Sequence, residues 1–144
     1  MKKKHYIYCD MDGVLADFDS EPNALDRFKV EKGFFARLKP ITRNVNALND
    51  LLKNKNCKVR IITASPNRQA DLDKIAWCKQ YLPNLNRKDI LVCRIGDNKI
   101  TRMKTKEGIL FDDYGKNIEQ WLQHKGNKAF KITKEKGIAD HIIV

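Results

Sequence analysis

An α/β domain on a parallel sheet is the fold class the sequence predicts, and three observations predict it. Short apolar, strand-like runs alternate with helix-like segments along the chain. The chain is long enough for one domain with a real core: 144 residues, 42% apolar and 33% charged, a composition that excludes disorder. Small polar clusters stand directly after the apolar runs, where a parallel sheet gathers strand ends on one edge.

The elements follow in order. His5 to Cys9 reads as the first strand. Val45, Leu48, Leu51 and Leu52 stand at helical spacing. Val59 to Ile62 is the second strand. Leu72, Ile75, Ala76 and Lys79 continue a helical face that ends near Leu82-Pro83. Ile90 to Cys93 is the third strand and Ile109 to Phe111 the fourth. Ile118, Trp121 and Leu122 mark an amphipathic helix closed by Gly126. Lys128 to Ile132 reads as a fifth strand, and His141 to Val144 as a short sixth. The stretch from Asp19 to Pro40 breaks the alternation and reads as one or two short helices inserted after the first strand. Such an insertion sits over the carboxyl end of the sheet, where open α/β folds bind ligands. Trp77 and Trp121 have apolar neighbours at helical spacing and read as core.

Charge and cysteine usage narrow the setting. The net charge of +11 favours anionic partners, such as phosphorylated metabolites, nucleotides or nucleic acid, without choosing among them. A solvated lysine-rich surface accounts for it equally well. The basic stretch from Lys125 to Lys136 interleaves only Phe130 and reads as a solvated face. Cys9, Cys57, Cys78 and Cys93 are widely spaced, which argues against a zinc site and a disulfide framework. Lys2, Lys3 and Lys4 precede an apolar run too short for a signal peptide or a membrane span. A reducing cytoplasm is the expected setting, with no membrane partner.

The polar clusters carry the chemistry. Asp10 and Asp12 follow the first strand, and Gly13 comes at once. Two carboxylates at the mouth of a buried strand are costly unless something positive lies between them. Thr63, Ala64 and Ser65 follow the second strand. Lys99 follows the third, after Gly96-Asp97-Asn98. Asp112 and Asp113 follow the fourth. An aspartate can accept a phosphoryl group and split one hard displacement into two. A second aspartate two residues on can give a proton to the leaving oxygen and later take one from water. A threonine hydroxyl and a lysine can hold the phosphoryl oxygens, and magnesium prefers such oxygen ligands. A calcium loop of the EF-hand type is excluded, because Val14 and Leu15 stand where its next oxygen ligand and glycine belong.

On these residues the sequence resembles the haloacid dehalogenase (HAD) superfamily of phosphohydrolases. Asp10-Met11-Asp12-Gly13-Val14 is similar to its first motif, Ile61-Ile62-Thr63-Ala64-Ser65 to its second, and Ile109-Leu110-Phe111-Asp112-Asp113 to its fourth. Within it, the run from Asp12 to Phe18, the stretch Phe34-Phe35 to Leu38 and Pro40, and Asp113-Tyr114 to Trp121 resemble the 5'(3')-deoxyribonucleotidases and their bacterial and phage relatives. The resemblance implies a Rossmann-like sheet in the order 3-2-1-4-5 with helices on both faces. It implies a single domain over 1–144, with a small cap insertion at about 19–40.

The resemblance also implies roles. Asp10 is the nucleophile and a magnesium ligand. Asp12 is the general acid/base, with its backbone carbonyl on the metal. Thr63, with Ala64 and Ser65, binds phosphate. Lys99 takes the lysine role, with Arg102, Lys104 and Lys106 competing for it. Asp113 is a second carboxylate ligand, and Asp112 ligates through water or orients the site. Phe18, Phe34 and Phe35 are the candidates for a substrate pocket, although aromatics at such positions also close small cores. Arg68 is either a clamp for a second anionic group or an ordinary surface arginine.

The activity so implied is a magnesium-dependent phosphomonoesterase working through an aspartyl-phosphate on a (deoxy)nucleoside monophosphate. Two alternatives stand beside it. One is a phosphatase on nucleic-acid terminal phosphates or other phosphometabolites. The other is a phosphate- and magnesium-binding regulatory module without turnover.

Overall fold

The strands β1 (His5–Cys9), β2 (Cys57–Ser65), β3 (Ile90–Arg94), β4 (Ile109–Asp112) and β5 (Lys128–Lys131) form one parallel sheet in the order β3-β2-β1-β4-β5. The structure is a computed structural model, and it describes residues 3–141. The fold is the Rossmann-like HAD arrangement that the resemblance implies. Of the short strand expected from His141 to Val144, His141 is a bend, and residues 142–144 lie outside those described.

Strand β2 is longer than its apolar run suggests, because it serves two neighbours in staggered register. Cys57 to Ile61 pair with β1, and Ile61 to Ser65 pair with β3. Thr63, Ala64 and Ser65 are therefore inside the strand rather than after it. Likewise β4 includes Asp112, which pairs with Lys131. The helix expected to close at Gly126 ends earlier, at Leu122, and Gly126 sits at φ +90 in the turn that precedes β5.

Among the described residues, four α-helices accompany the sheet: α1 (Ala24–Arg27), α2 (Thr42–Lys53), α3 (Arg68–Tyr81) and α4 (Gly115–Leu122). Helices α2 and α3 cover one face, where Val45, Leu48, Trp77 and Cys78 pack with Ile7, Cys9, Val59 and Ile61. Helix α4 covers the other, where Trp121 packs with Tyr8, Ile62, Leu91 and Leu110. Both tryptophans are fully buried, and each indole N–H donates to a carbonyl, Leu38 for Trp77 and Gly108 for Trp121. Among the described residues, no helix is long and apolar enough to cross a membrane.

The insertion after β1 holds the single turn α1 and a 3₁₀ turn at Phe35–Arg37. It rests on α3 through named bonds. The Gly33 N–H donates to Asp73 Oδ2 at 2.7 Å, and Asn67 Nδ2 donates to the Lys29 carbonyl at 2.9 Å. The strand order reverses between β1 and β4, since β2 and β3 lie to one side and β4 and β5 to the other. The crevice at such a switch point is where open α/β sheets place their ligands.

Candidate active site

Four elements deliver side chains to that crevice. Beyond β1, the Asp10 N–H still donates to the Phe111 carbonyl, so the ladder carries Asp10 to the edge. The chain then folds into a tight loop in which Met11 O accepts from the N–H groups of Leu15 and Ala16. Gly13 makes the loop possible. Its φ is +80, and a Cβ there would overlap the Asp113 carboxylate. From α2, Asn44 locks the loop: its Nδ2 donates to Val14 O at 2.8 Å while its Oδ1 accepts from the Ile138 N–H at 3.1 Å.

The β4 side of the crevice is dominated by acid. One oxygen each from Asp10, Asp112 and Asp113 lie within 4.8 Å of one another. Lys99, at the start of a 3₁₀ turn (Lys99–Arg102), donates to Asp10 Oδ1 at 3.0 Å and to Asp112 Oδ2 at 2.8 Å. Asn98 caps that turn, its side chain accepting from the Ile100 N–H, which aims the lysine inward. Only 3% of Lys99 is exposed. Burial alone would lower its ammonium pKa, but Asp10 and Asp112 more than offset this and hold it above the ordinary value. Arg102, Lys104 and Lys106, its competitors in the sequence, are all exposed.

The two acids after β4 differ. Asp112 is fully buried and its oxygens are engaged: Oδ1 accepts from the Tyr114 N–H, and Oδ2 from Lys99 and Asn117. Among the described residues, none donates such a hydrogen bond to the carboxyl of Asp113. Burial, then the charges of Asp10 and Asp112, push its carboxyl up to about 8. Three carboxylates share one ammonium, so the cluster is short of positive charge. An all-oxygen donor set with unmet negative charge fits a hard divalent cation.

The β2 side is built around a residue that the sequence pattern does not reveal. Lys74, on α3, is completely buried. Its ammonium donates to Asp12 Oδ2 at 2.8 Å, Thr63 Oγ1 at 2.8 Å and the Ala64 carbonyl at 2.7 Å. It also lies 4.4 Å from the centre of the Phe35 ring. The helical face expected through Leu72, Ile75, Ala76 and Lys79 is not the buried one. Leu72 is 48% exposed, and Ala76 and Lys79 are exposed, whereas Ala70, Asp73, Lys74, Ile75, Trp77 and Cys78 face inward. The signal was the spacing of Ala70, Lys74, Trp77 and Cys78, interrupted by a charge that has partners.

A hollow of about 310 Å³ opens over these groups, lined by Asp10, Asp12, Ala64, Lys99 and Asp113 below and by Phe18, Phe28 and Phe35 from the insertion side. The candidates divide accordingly. Asp10, Asp12, Ala64, Lys99, Asp113, Phe18 and Phe35 face the hollow. Asp112 and Thr63 lie beneath it. Ser65 turns away: it is fully buried, and its hydroxyl donates to the Asn67 carbonyl at 3.2 Å. Phe34 does not line the wall either, being 1% exposed and packed edge-on against Phe18 and Phe35. Phe28, absent from the candidates, takes a place on the wall. The Asp12 side chain is turned to Lys74 rather than to the acid cluster. Arg68 is exposed and does not line this hollow.

Residues 19–142 match the family described as 5' nucleotidase, deoxy (pyrimidine), cytosolic type C protein. A Vibrio phage KVP40 protein described as "Putative 5'(3')-deoxyribonucleotidase" is 31% identical over 88 residues, covering 55% of this chain and 52% of the phage protein. The matched segment thus spans about half the length of that relative.

Proposed function

The chain belongs to the deoxy (pyrimidine) cytosolic type C 5' nucleotidase family, and on that premise we propose that it hydrolyses phosphomonoesters through an aspartyl-phosphate on Asp10. The observation that carries the reading is the meeting of Asp10, Asp12, Thr63 and Lys99 at one switch point under an aromatic-walled hollow.

In the first step the Asp10 carboxylate attacks phosphorus, the bond to the leaving oxygen breaks, and Asp12 gives that oxygen a proton. In the second, Asp12 takes a proton from water as the water oxygen attacks phosphorus, releasing phosphate and restoring Asp10. Lys99 and the Thr63 hydroxyl hold the phosphoryl oxygens and offset their charge. Asp10 and Asp113, with the Asp12 backbone carbonyl, would hold magnesium, while Asp112 orients Lys99. Magnesium bound there would supply the positive charge that the acid cluster lacks and polarise a phosphoryl oxygen. The insertion at about 19–40 serves as the cap of a single domain, and Phe18, Phe28 and Phe35 meet the organic part of the substrate.

A deoxynucleoside monophosphate is the substrate this reading favours, and the description of the phage relative as a 5'(3')-deoxyribonucleotidase supports it. The four buried cysteines support a reducing compartment such as the cytoplasm. The +11 charge keeps nucleic-acid terminal phosphates as a second substrate class. The test is a panel of nucleotides, sugar phosphates and phosphorylated oligonucleotides, each run with magnesium and with chelator. Turnover of mononucleotides that chelator abolishes is the expected result. Faster, salt-sensitive turnover of oligonucleotide ends would favour the second class. Magnesium-dependent phosphate binding without any turnover would overturn the enzymatic reading.

A further inference from the structure

The buried ammonium of Lys74 has no part in the steps above, yet it touches two groups that do. A lysine has three N–H donors. Here all three are engaged, by Asp12 Oδ2, Thr63 Oγ1 and the Ala64 carbonyl, at 2.7–2.8 Å. The Phe35 ring lies over the same ammonium, 4.4 Å from its centre. No donor is left for a phosphoryl oxygen, so Lys74 is not built as a phosphate ligand.

Its partners show what it is built for. Asp12 lines the hollow; its Oδ2 is tied to Lys74, while its Oδ1 is screened from solvent and has no hydrogen-bond partner among the described residues. An unpartnered buried carboxylate oxygen is costly and calls for a proton or a ligand atom to meet it. The Thr63 hydroxyl accepts from Lys74, which leaves its own hydrogen free to donate elsewhere.

We propose that Lys74 is a positioning residue: by holding Asp12 through Oδ2 it fixes, at the edge of the hollow, the carboxyl that carries the proton to the leaving group, and it turns the Thr63 hydrogen toward the phosphoryl group. This rests on the phosphomonoesterase reading of the site. Lys74 acts through Asp12, so its contribution scales with how badly the leaving group needs a proton. A nucleoside alkoxide needs one, whereas p-nitrophenolate does not. A cation acting directly on the phosphoryl oxygens would help both esters alike.

The experiment measures kcat/KM of the full chain and of Lys74→Met, a near-isosteric change, with magnesium. The substrates are a deoxynucleoside 5'-monophosphate and a series of aryl phosphates ending in p-nitrophenyl phosphate. General acid catalysis is worth roughly 10²–10⁴-fold. The variant is expected to lose about 10–100-fold on the nucleotide and less than about threefold on p-nitrophenyl phosphate, with a steeper dependence on leaving-group pKa across the series. Equal losses on every ester would overturn the proposal in favour of direct charge stabilisation, and no loss on any would overturn it outright. Absence of turnover by the parent chain on all esters would overturn the reaction itself, and the positioning role with it. Should Lys74→Met fail to fold, Lys74→Gln, which retains one donor group, takes the same comparison, with an intermediate slope expected.

Discussion

The two sides of the crevice are each organised by a buried lysine, and the two lysines do different work. On the β4 side Lys99 faces Asp10 and Asp112, with Asp113 close behind. On the β2 side Lys74 faces one carboxylate, a hydroxyl and a carbonyl. The first group carries excess negative charge, and the second is balanced. Burying charge is tolerable only where it is paired and hydrogen-bonded. The β4 side is therefore incomplete by itself and suited to receive a cation, while the β2 side is complete and suited to hold geometry. Residue type and burial are the same; the surrounding charge decides the role.

Loss of Lys99 has the largest expected effect. Lys99→Met leaves two buried carboxylates, Asp10 and Asp112, and the half-buried Asp113 with no cation among them. Removing one partner of a buried pair typically costs about 3–5 kcal/mol. Thermal melts in chelator are expected to show that loss, and magnesium is expected to recover part of it. Lys74→Met leaves one carboxylate, Asp12, without its cation, together with a hydroxyl and a carbonyl that lose a donor, and is expected to cost less. Equal destabilisation by the two variants would contradict the division of roles.

A glycine sharpens the same point at smaller cost. Gly13→Ala places an L-residue at φ +80, which costs roughly 1–2 kcal/mol. Its methyl also presses on Asp113. The expected outcome is a modest drop in melting temperature together with weaker magnesium binding by calorimetry. A variant with wild-type magnesium affinity would show that Asp113 is not where the cation is held.

The gentlest probe is pH. The Asp113 carboxyl is raised from the ordinary 3.8 to about 8, so between these values the folded protein holds a proton that the unfolded chain has released. Stability in chelator therefore falls as pH rises across that window, the reverse of the usual behaviour of a salt-bridged acid. A divalent cation, by displacing that proton, is expected to flatten the slope. Melts at several pH values, with and without magnesium, check it.

How far the sequence reveals this site follows from where each charge stands. Asp10, Asp12 and the Asp112-Asp113 pair sit at the ends of apolar strands, where a parallel sheet gathers residues by topology alone. They are legible for that reason. Lys99 is legible in position but not in role, since three other basic residues follow within seven places and only the capped turn at Asn98 selects it. Lys74 is not legible, because a charge in the middle of a helix reads as solvent-facing. Its burial depends on three acceptors from other elements, which periodicity cannot express. Ser65 shows the converse: next to a phosphate-binding motif in sequence, it spends its hydroxyl on the start of α3. Phe28 and Phe34 exchange places for a related reason. In a short insertion without regular helices, no period says which ring faces the hollow.

Asp10 is the proposed attacking group, and Asp10→Asn tests that role most directly. The substitution keeps the shape of the side chain and removes the nucleophile. Assayed with magnesium on the best mononucleotide of the panel, the variant is expected to melt as a folded protein and to show no turnover above background. Magnesium-dependent turnover retained by Asp10→Asn would contradict the assignment and send the search for the nucleophile elsewhere in the crevice.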